Sequence, residues 1–140
     1  MKGLVTAVGF IFLLACQSFA NEQSTLARVT VYWPGEGSGE HAAWNGTPLR
    51  EEHCAVDPKR IAYGSKVVFP DAEECVAVDT GPDVINRKAA RSLGRKPAER
   101  NAIVIDRFFG SKQKALEWVQ THPHFMWVRI LTPDAKLAGN

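Results

Sequence analysis

The sequence predicts a mainly β protein, a small closed barrel of six short strands with two helices inserted late. Three observations predict it. Short runs rich in β-branched and aromatic residues recur along the chain, each bounded by turn residues. A helical period appears only after Gly81, whereas a parallel α/β sheet would need a helix after nearly every strand. Finally, three apolar runs each deliver an aspartate at the strand end: Cys54-Ala55-Val56-Asp57, Cys75-Val76-Ala77-Val78-Asp79 and Ile103-Val104-Ile105-Asp106.

The chain has 140 residues, is 45% hydrophobic and carries a formal charge of +2. That composition suits one globular domain, and so small a basic excess argues against nucleic acid as a partner. Residues 1–20 read as an export signal. Lys2 gives a positive start, Leu4 to Ala15 is apolar, and Ser18-Phe19-Ala20 supplies small residues for cleavage after Ala20. The apolar stretch is too short for an ordinary transmembrane helix. Leu13-Leu14-Ala15-Cys16 offers a second route, a lipobox that would anchor the protein to a membrane through lipidated Cys16. The expected location is outside the cytoplasm, periplasmic or secreted. Cleavage after Ala20 leaves Cys54 and Cys75, which an oxidising compartment would join. That disulfide would close a loop of about 20 residues and contribute ~3 kcal/mol in the chain-entropy model. Two buried free thiols are the alternative.

Residues 21–28 are expected to be disordered for most of their length, since Asn21 to Ala27 is polar. Arg28 to Trp33 alternates and forms the first strand. The stretch from Pro34 to Gly46 is a glycine-punctuated loop without the Lys-Ser/Thr ending of a phosphate-binding loop. Trp44 in this loop, and Trp33 beside it, are candidates to stack on a sugar; the plainer reading of Trp44 is a cover for the core. Leu49 to Val56 runs into Asp57-Pro58, Lys59 to Gly64 turns, Ser65 to Phe69 is a strand, and Glu73-Glu74 reads as a solvated turn before the Cys75 strand. Asp83 is expected to cap a helix from Val84 to Leu93, with Gly94 after its end. Arg87, Arg91 and Arg95, with Lys88, Lys96 and Arg100, make this segment basic, which suits either an anionic partner or a solvated face. Ala102 to Phe109 is a strand. Ser111 caps a second helix, Lys112 to Thr121, with Ala115, Leu116, Trp118 and Val119 on its buried stripe. Pro123 stops it, Phe125 to Leu131 is the last strand, and residues 132–140 form a loose tail. His122-Pro123-His124 lacks a partner at a convincing spacing, so no metal or other cofactor is expected.

The ordered set Thr30-Val31-Tyr32, Gly46-Thr47-Pro48-Leu49, A-V-D-P-K-R-I-A-Y-G-S-K-V from Ala55, A-V-D-T-G from Ala77, I-D-R-F-F-G-S from Ile105 and Ala115-Leu116-Glu117-Trp118 resembles the three-aspartate (3D) domain family. That family belongs to the superfamily of the lytic murein transglycosylase A core, and the resemblance covers residues 29–131. It implies a six-stranded double-psi β-barrel and peptidoglycan glycan strands as the partner. It also implies that Asp57, Asp79 and Asp106 gather at one groove, with Asp106 in the position of the catalytic acid/base. The implied reaction cleaves the MurNAc–GlcNAc bond without water and leaves a 1,6-anhydro-muramic end. The chain differs from the family pattern at Pro82, at Arg107 and in a longer segment between Gly81 and Ile105.

The residues themselves suit this chemistry. A carboxyl donates a proton near neutral pH when an apolar pocket or a second carboxylate raises its pKa. Asp106 shares a strand face with Val104 and Phe108, and Arg107 points the other way. Asp79 and Asp57 would then hold substrate or tune Asp106, and Thr80 would hydrogen-bond the Asp79 carboxylate. Two other functions fit. One is a non-catalytic peptidoglycan-binding barrel in which Trp33 and Trp44 matter most. The other is a dimeric aspartic protease built on Asp79-Thr80-Gly81.

Overall fold

The structure is a computed structural model and describes residues 19–35 and 39–134. Residues 1–18, where most of the expected export signal (1–20) and the expected lipobox cysteine Cys16 fall, and residues 36–38 and 135–140 lie outside the described residues.

Among the described residues six strands close into a mixed barrel, and four short helices decorate it. The strands are β1 (Phe19–Tyr32), β2 (His53–Ala55), β3 (Lys66–Val68), β4 (Glu74–Asp79), β5 (Ile103–Phe108) and β6 (Phe125–Pro133). Around the barrel they run β1-β5-β2-β4-β3-β6 and back to β1. The β1–β5 and β2–β4 pairs are parallel, and the other four are antiparallel. Closure gives every strand two neighbours, although the part of β1 up to Leu26 pairs with β6 alone, because β5 begins opposite Ala27.

The strand faces divide by the two-residue period. Val29, Cys54, Val67, Cys75, Ala77, Ile105, Val128 and Ile130 belong to one buried cluster, which α4 (Lys112–Thr121) extends with Ala115 and Trp118. Tyr32, Ala55, Val78, Val104 and Phe108 face the other way and pack with Val84, Ala90 and Ala102 from the helical segment. Ile105 is fully buried, so truncating it to alanine would cost about 2–5 kcal/mol.

Five expectations about the fold need correction. Asn21 to Ala27 is not disordered: it is the first half of a 14-residue strand, paired residue by residue with β6 from Asn21↔Thr132 to Ala27↔Met126. Its polar side chains from 21 to 24 are exposed, so backbone pairing with β6 and not burial makes the strand. Thr132 and Pro133, expected in a loose tail, belong to β6, which runs to Pro133. The basic segment is not one helix but three, α1 (Pro82–Ile85), α2 (Lys88–Leu93) and α3 (Pro97–Arg100). Arg87 breaks it by adopting the left-handed conformation, φ 52°. Asp83 does not cap; Gly81 takes that position with Pro82 opening the helix, and Asp83 sits in the first turn. By contrast, Ser111 caps α4 as expected, its Oγ accepting from the Lys114 N–H at 3.3 Å.

The fifth correction concerns Cys54 and Cys75, which are both buried free thiols. Their register explains it. In the parallel β2–β4 pair Cys54 stands opposite Ala77, two residues along from Cys75. Two residues along one strand and one strand spacing across place the Cα atoms roughly 8 Å apart, beyond the span a disulfide bridges. Burial foremost, and then the neighbouring Cys75, push the Cys54 thiol well up.

Candidate active site

Strand register builds the site. Thr30 of β1 pairs with Asp106 of β5, Asp106 pairs with Ala55 of β2, and Ala55 pairs with Asp79 of β4. A single row thus crosses four adjacent strands: Thr30, Asp106, Ala55, Asp79. The two aspartates are two strand spacings apart, roughly 9–10 Å between Cα atoms. The small Ala55 between them leaves room. All four residues line one cavity of about 610 Å³, roofed by α1 and α2. That volume falls in the range of small-molecule sites.

Asp79 is only 7% exposed, and both of its oxygens are engaged. Tyr32 donates its hydroxyl to Oδ2 at 3.0 Å, and the Ala43 N–H donates to Oδ1 at 3.0 Å. The loop that holds Ala43 is itself pinned across the end of β4, since the Trp44 N–H donates to the Val78 carbonyl at 3.0 Å. Asp79 is therefore a fixed acceptor at the edge of the cavity. Tyr32 is held neutral: burial first, then the charge and hydrogen bond of Asp79, then the charge of Asp106, all push its pKa far up. Its ring meets Phe108 edge-on at 5.2 Å, which fixes where the hydroxyl points.

Asp106 is half-buried, and the Thr30 hydroxyl donates to its Oδ1 at 2.9 Å. Val104 lines the same cavity, and Phe108 belongs to the apolar cluster on that face. The expected apolar setting is thus present. Arg107 points away, as its alternate position requires. It is buried among Phe69, Phe109 and Trp118, each ring centre 5.0–5.3 Å from the guanidinium carbon, and it pairs with Glu73. Glu73 is therefore tied to the barrel rather than merely solvated.

Thr80 lines the cavity but does not bond to Asp79; its Oγ1 is buried with no hydrogen-bond partner among the described residues. Asp57 does not line the cavity. Its Oδ1 accepts from the Lys59 N–H at 3.0 Å, its backbone carbonyl accepts from Arg60 and Ile61, and its Oδ2 lies 3.8 Å from Arg60. It organises a turn. Trp33 packs, half-buried, against the main core cluster. Trp44 is 49% exposed and stacks on Tyr63 with ring centres 6.1 Å apart. Gly64, at φ +85°, makes room for that stack: a Cβ there would stand 3.3 Å from the indole.

The sequence reading did not give Thr30, Tyr32 or Ala55 a role at the site. The signal was available for the first two. Residues 30 and 32 share one face of an alternating strand, so both project toward the same neighbours. Ala43 left no such signal, because its backbone N–H makes the contact.

A second polar group forms on another side of the barrel. Ligand atoms of Asp71, Glu73 and His122 lie within 4.8 Å of one another, and His122 Nε2 is 3.0 Å from Asp71 Oδ2. His122 also stacks on Trp118 at 4.2 Å. These residue types are able to ligate a metal ion. Arg107 already supplies positive charge there through Glu73.

The chain matches no protein-family model and no curated protein.

Proposed function

We propose that this chain acts on peptidoglycan as a lytic transglycosylase, with Asp106 as its single acid/base. The observation that carries the reading is the row of Thr30, Asp106, Ala55 and Asp79 along one cavity of a closed six-stranded barrel. The motif resemblance to the 3D domain and its double-psi barrel supports the choice of substrate. Export through the N-terminal signal, with or without lipidation of Cys16, would bring the protein to the cell wall.

In this mechanism the Asp106 carboxyl protonates the oxygen between MurNAc and GlcNAc. The C1–O bond breaks, the GlcNAc hydroxyl leaves, and positive charge develops at C1 of the muramic sugar. The muramic 6-hydroxyl then attacks C1, and the Asp106 carboxylate takes its proton. The acid is regenerated, no water is consumed, and the product carries a 1,6-anhydro bond. Thr30 holds Asp106 in one orientation. Asp79, fixed by Tyr32 and the Ala43 amide, supplies a stationary negative charge toward the developing cation. A neutral Tyr32 donates without competing for protons in the working pH range.

A non-catalytic wall-binding module has one observation in its favour, the exposed Trp44 stacked on Tyr63. The aspartic-protease reading is disfavoured by Asp79, whose buried oxygens are committed within the chain and so badly placed to share a proton with a second copy. The test is digestion of purified peptidoglycan by wild type and Asp106→Ala, read by liquid chromatography and mass spectrometry. Anhydro-muropeptides from the wild type alone support the proposal. Reducing-end products would replace it with hydrolysis. No products, with both proteins pelleting with the wall, would favour the binding module.

A further inference from the structure

A second cavity, of about 570 Å³, shares no lining residue with the first. It opens where the N-terminal half of β1, β6, the turn after Asp57 and the start of β5 meet. Trp127 of β6 stands in its wall, and at 64% it is the most exposed large hydrophobic residue among those described. An indole left this wet exposes a broad flat apolar face with one polar edge. Gln23, Ser24, Thr25, Asn101 and Arg60 also line the cavity; by the two-residue period Ser24 shares the face of Trp127, which pairs with Leu26, while Gln23 and Thr25 project on the other face. Asp57 lies 3.8 Å from the Arg60 guanidinium and anchors its turn through the Lys59 N–H. The aspartate that does not line the Asp106 cavity therefore helps to shape this one.

The lining selects a class of ligand. A purely apolar molecule would cover polar lining residues such as Ser24 and Asn101 without pairing them, at a cost of desolvation. An anion would find a single guanidinium already facing a carboxylate. A pyranose ring fits both halves, since its C–H face stacks on an indole and its equatorial hydroxyl and acetamido groups pair with amides. We propose that this cavity binds a β-1,4-linked acetamido-sugar chain, with one ring stacked on Trp127. The choice of acetamido-sugar rests on the peptidoglycan reading of the Asp106 cavity; the stacking site does not.

The test is titration calorimetry with a β-1,4-linked N-acetylglucosamine tetramer, in an Asp106→Ala background so that nothing is cleaved. Adding Trp127→Ala is expected to weaken binding by tenfold or more, Asn101→Ala by a few-fold, and Trp127→Tyr to retain most of it. Near-UV circular dichroism would verify that each variant is folded. Equal affinity with and without Trp127, or no binding of the tetramer at all, overturns the proposal. The two readings fail separately. Trp127-dependent binding without anhydro products would keep this cavity and remove the transglycosylase. Anhydro products with Trp127-independent binding would do the reverse.

Discussion

Cys54-Ala55-Val56-Asp57 and Val76-Ala77-Val78-Asp79 are near copies on neighbouring parallel strands, yet their aspartates end in different surroundings. Register separates them. Cys54 pairs with Ala77, but Ala55 pairs with Asp79, so one extra residue is accommodated in β4 at Val78. That irregularity brings Asp79 level with Ala55 and Asp106, while Asp57 runs two residues past the end of β2 into a turn. The following residues reinforce the split. Pro58 cannot donate a backbone hydrogen bond and favours a turn, whereas Thr80-Gly81 leads into α1 over the cavity. Like sequences therefore yield a buried, doubly held carboxylate in one place and a turn anchor in the other.

The contrast can be broken by substitution. The largest effect is expected for Asp106→Ala, which should cut release of anhydro-muropeptides by about 10²–10⁴-fold, the usual worth of a general acid. Asp57→Ala should leave that rate within about twofold, as a turn residue outside the cavity would. A comparable loss from Asp57→Ala would mean the two aspartates are not distinct in function. Next, Asp79→Ala strands the Tyr32 hydroxyl and the Ala43 N–H, and urea unfolding should show a loss of roughly 2–4 kcal/mol, two unmade buried hydrogen bonds. The same change at Asp57 should cost about 1 kcal/mol. Equal losses would contradict the burial difference.

Smaller effects sharpen the picture. Tyr32→Phe removes one donor from Asp79 and should cost about 1–3 kcal/mol by the same assay. Because the Tyr32 pKa is raised on folding, its contribution is full below the unfolded value near 10 and declines above it. Absorbance at alkaline pH should show Tyr32 ionising only as the chain unfolds; free titration of both tyrosines in the folded protein would oppose this. Least of all, Glu51 is held below its ordinary value by Lys114 first and then by the Gly110 N–H. Its stabilisation is present above the unfolded carboxylate pKa and is lost as pH falls through the lowered one. Both partners are largely exposed, so Glu51→Gln should cost under about 0.5 kcal/mol and only above that window.

Much of this architecture was legible in the residues. Strands rich in Val and Ile with turn residues at each end, at 66–68, 103–108 and 125–131, needed only period and propensity. Asn21 to Ala27 was not legible, since a strand held by pairing to β6, with its side chains from 21 to 24 in water, carries no hydrophobic pattern. Nor was the break at Arg87, because a non-glycine residue in the left-handed region has no dependable sequence mark. At the site, Asp106 and Asp79 line one cavity, whereas Asp57, grouped with them in the sequence, does not, because spacing cannot show a register shift. The Asp71, Glu73 and His122 cluster was missed for a related reason: the turn between β3 and β4 and the end of α4 are far apart in sequence, and the fold brings them together.

The long β1–β6 ladder has a consequence in time rather than space. The first strand of the barrel has the last as its neighbour over most of its length, and β6 also completes β3. A chain growing from its N-terminus cannot finish either of these ladders until Phe125 and the residues after it have appeared. Contacts of such long sequence separation slow folding. The protein should consequently pass through synthesis, and any passage across a membrane, without a finished barrel, and fold in one late cooperative step. Truncation just before Phe125 would leave β1 and β3 each with an open edge, and that fragment should aggregate rather than fold.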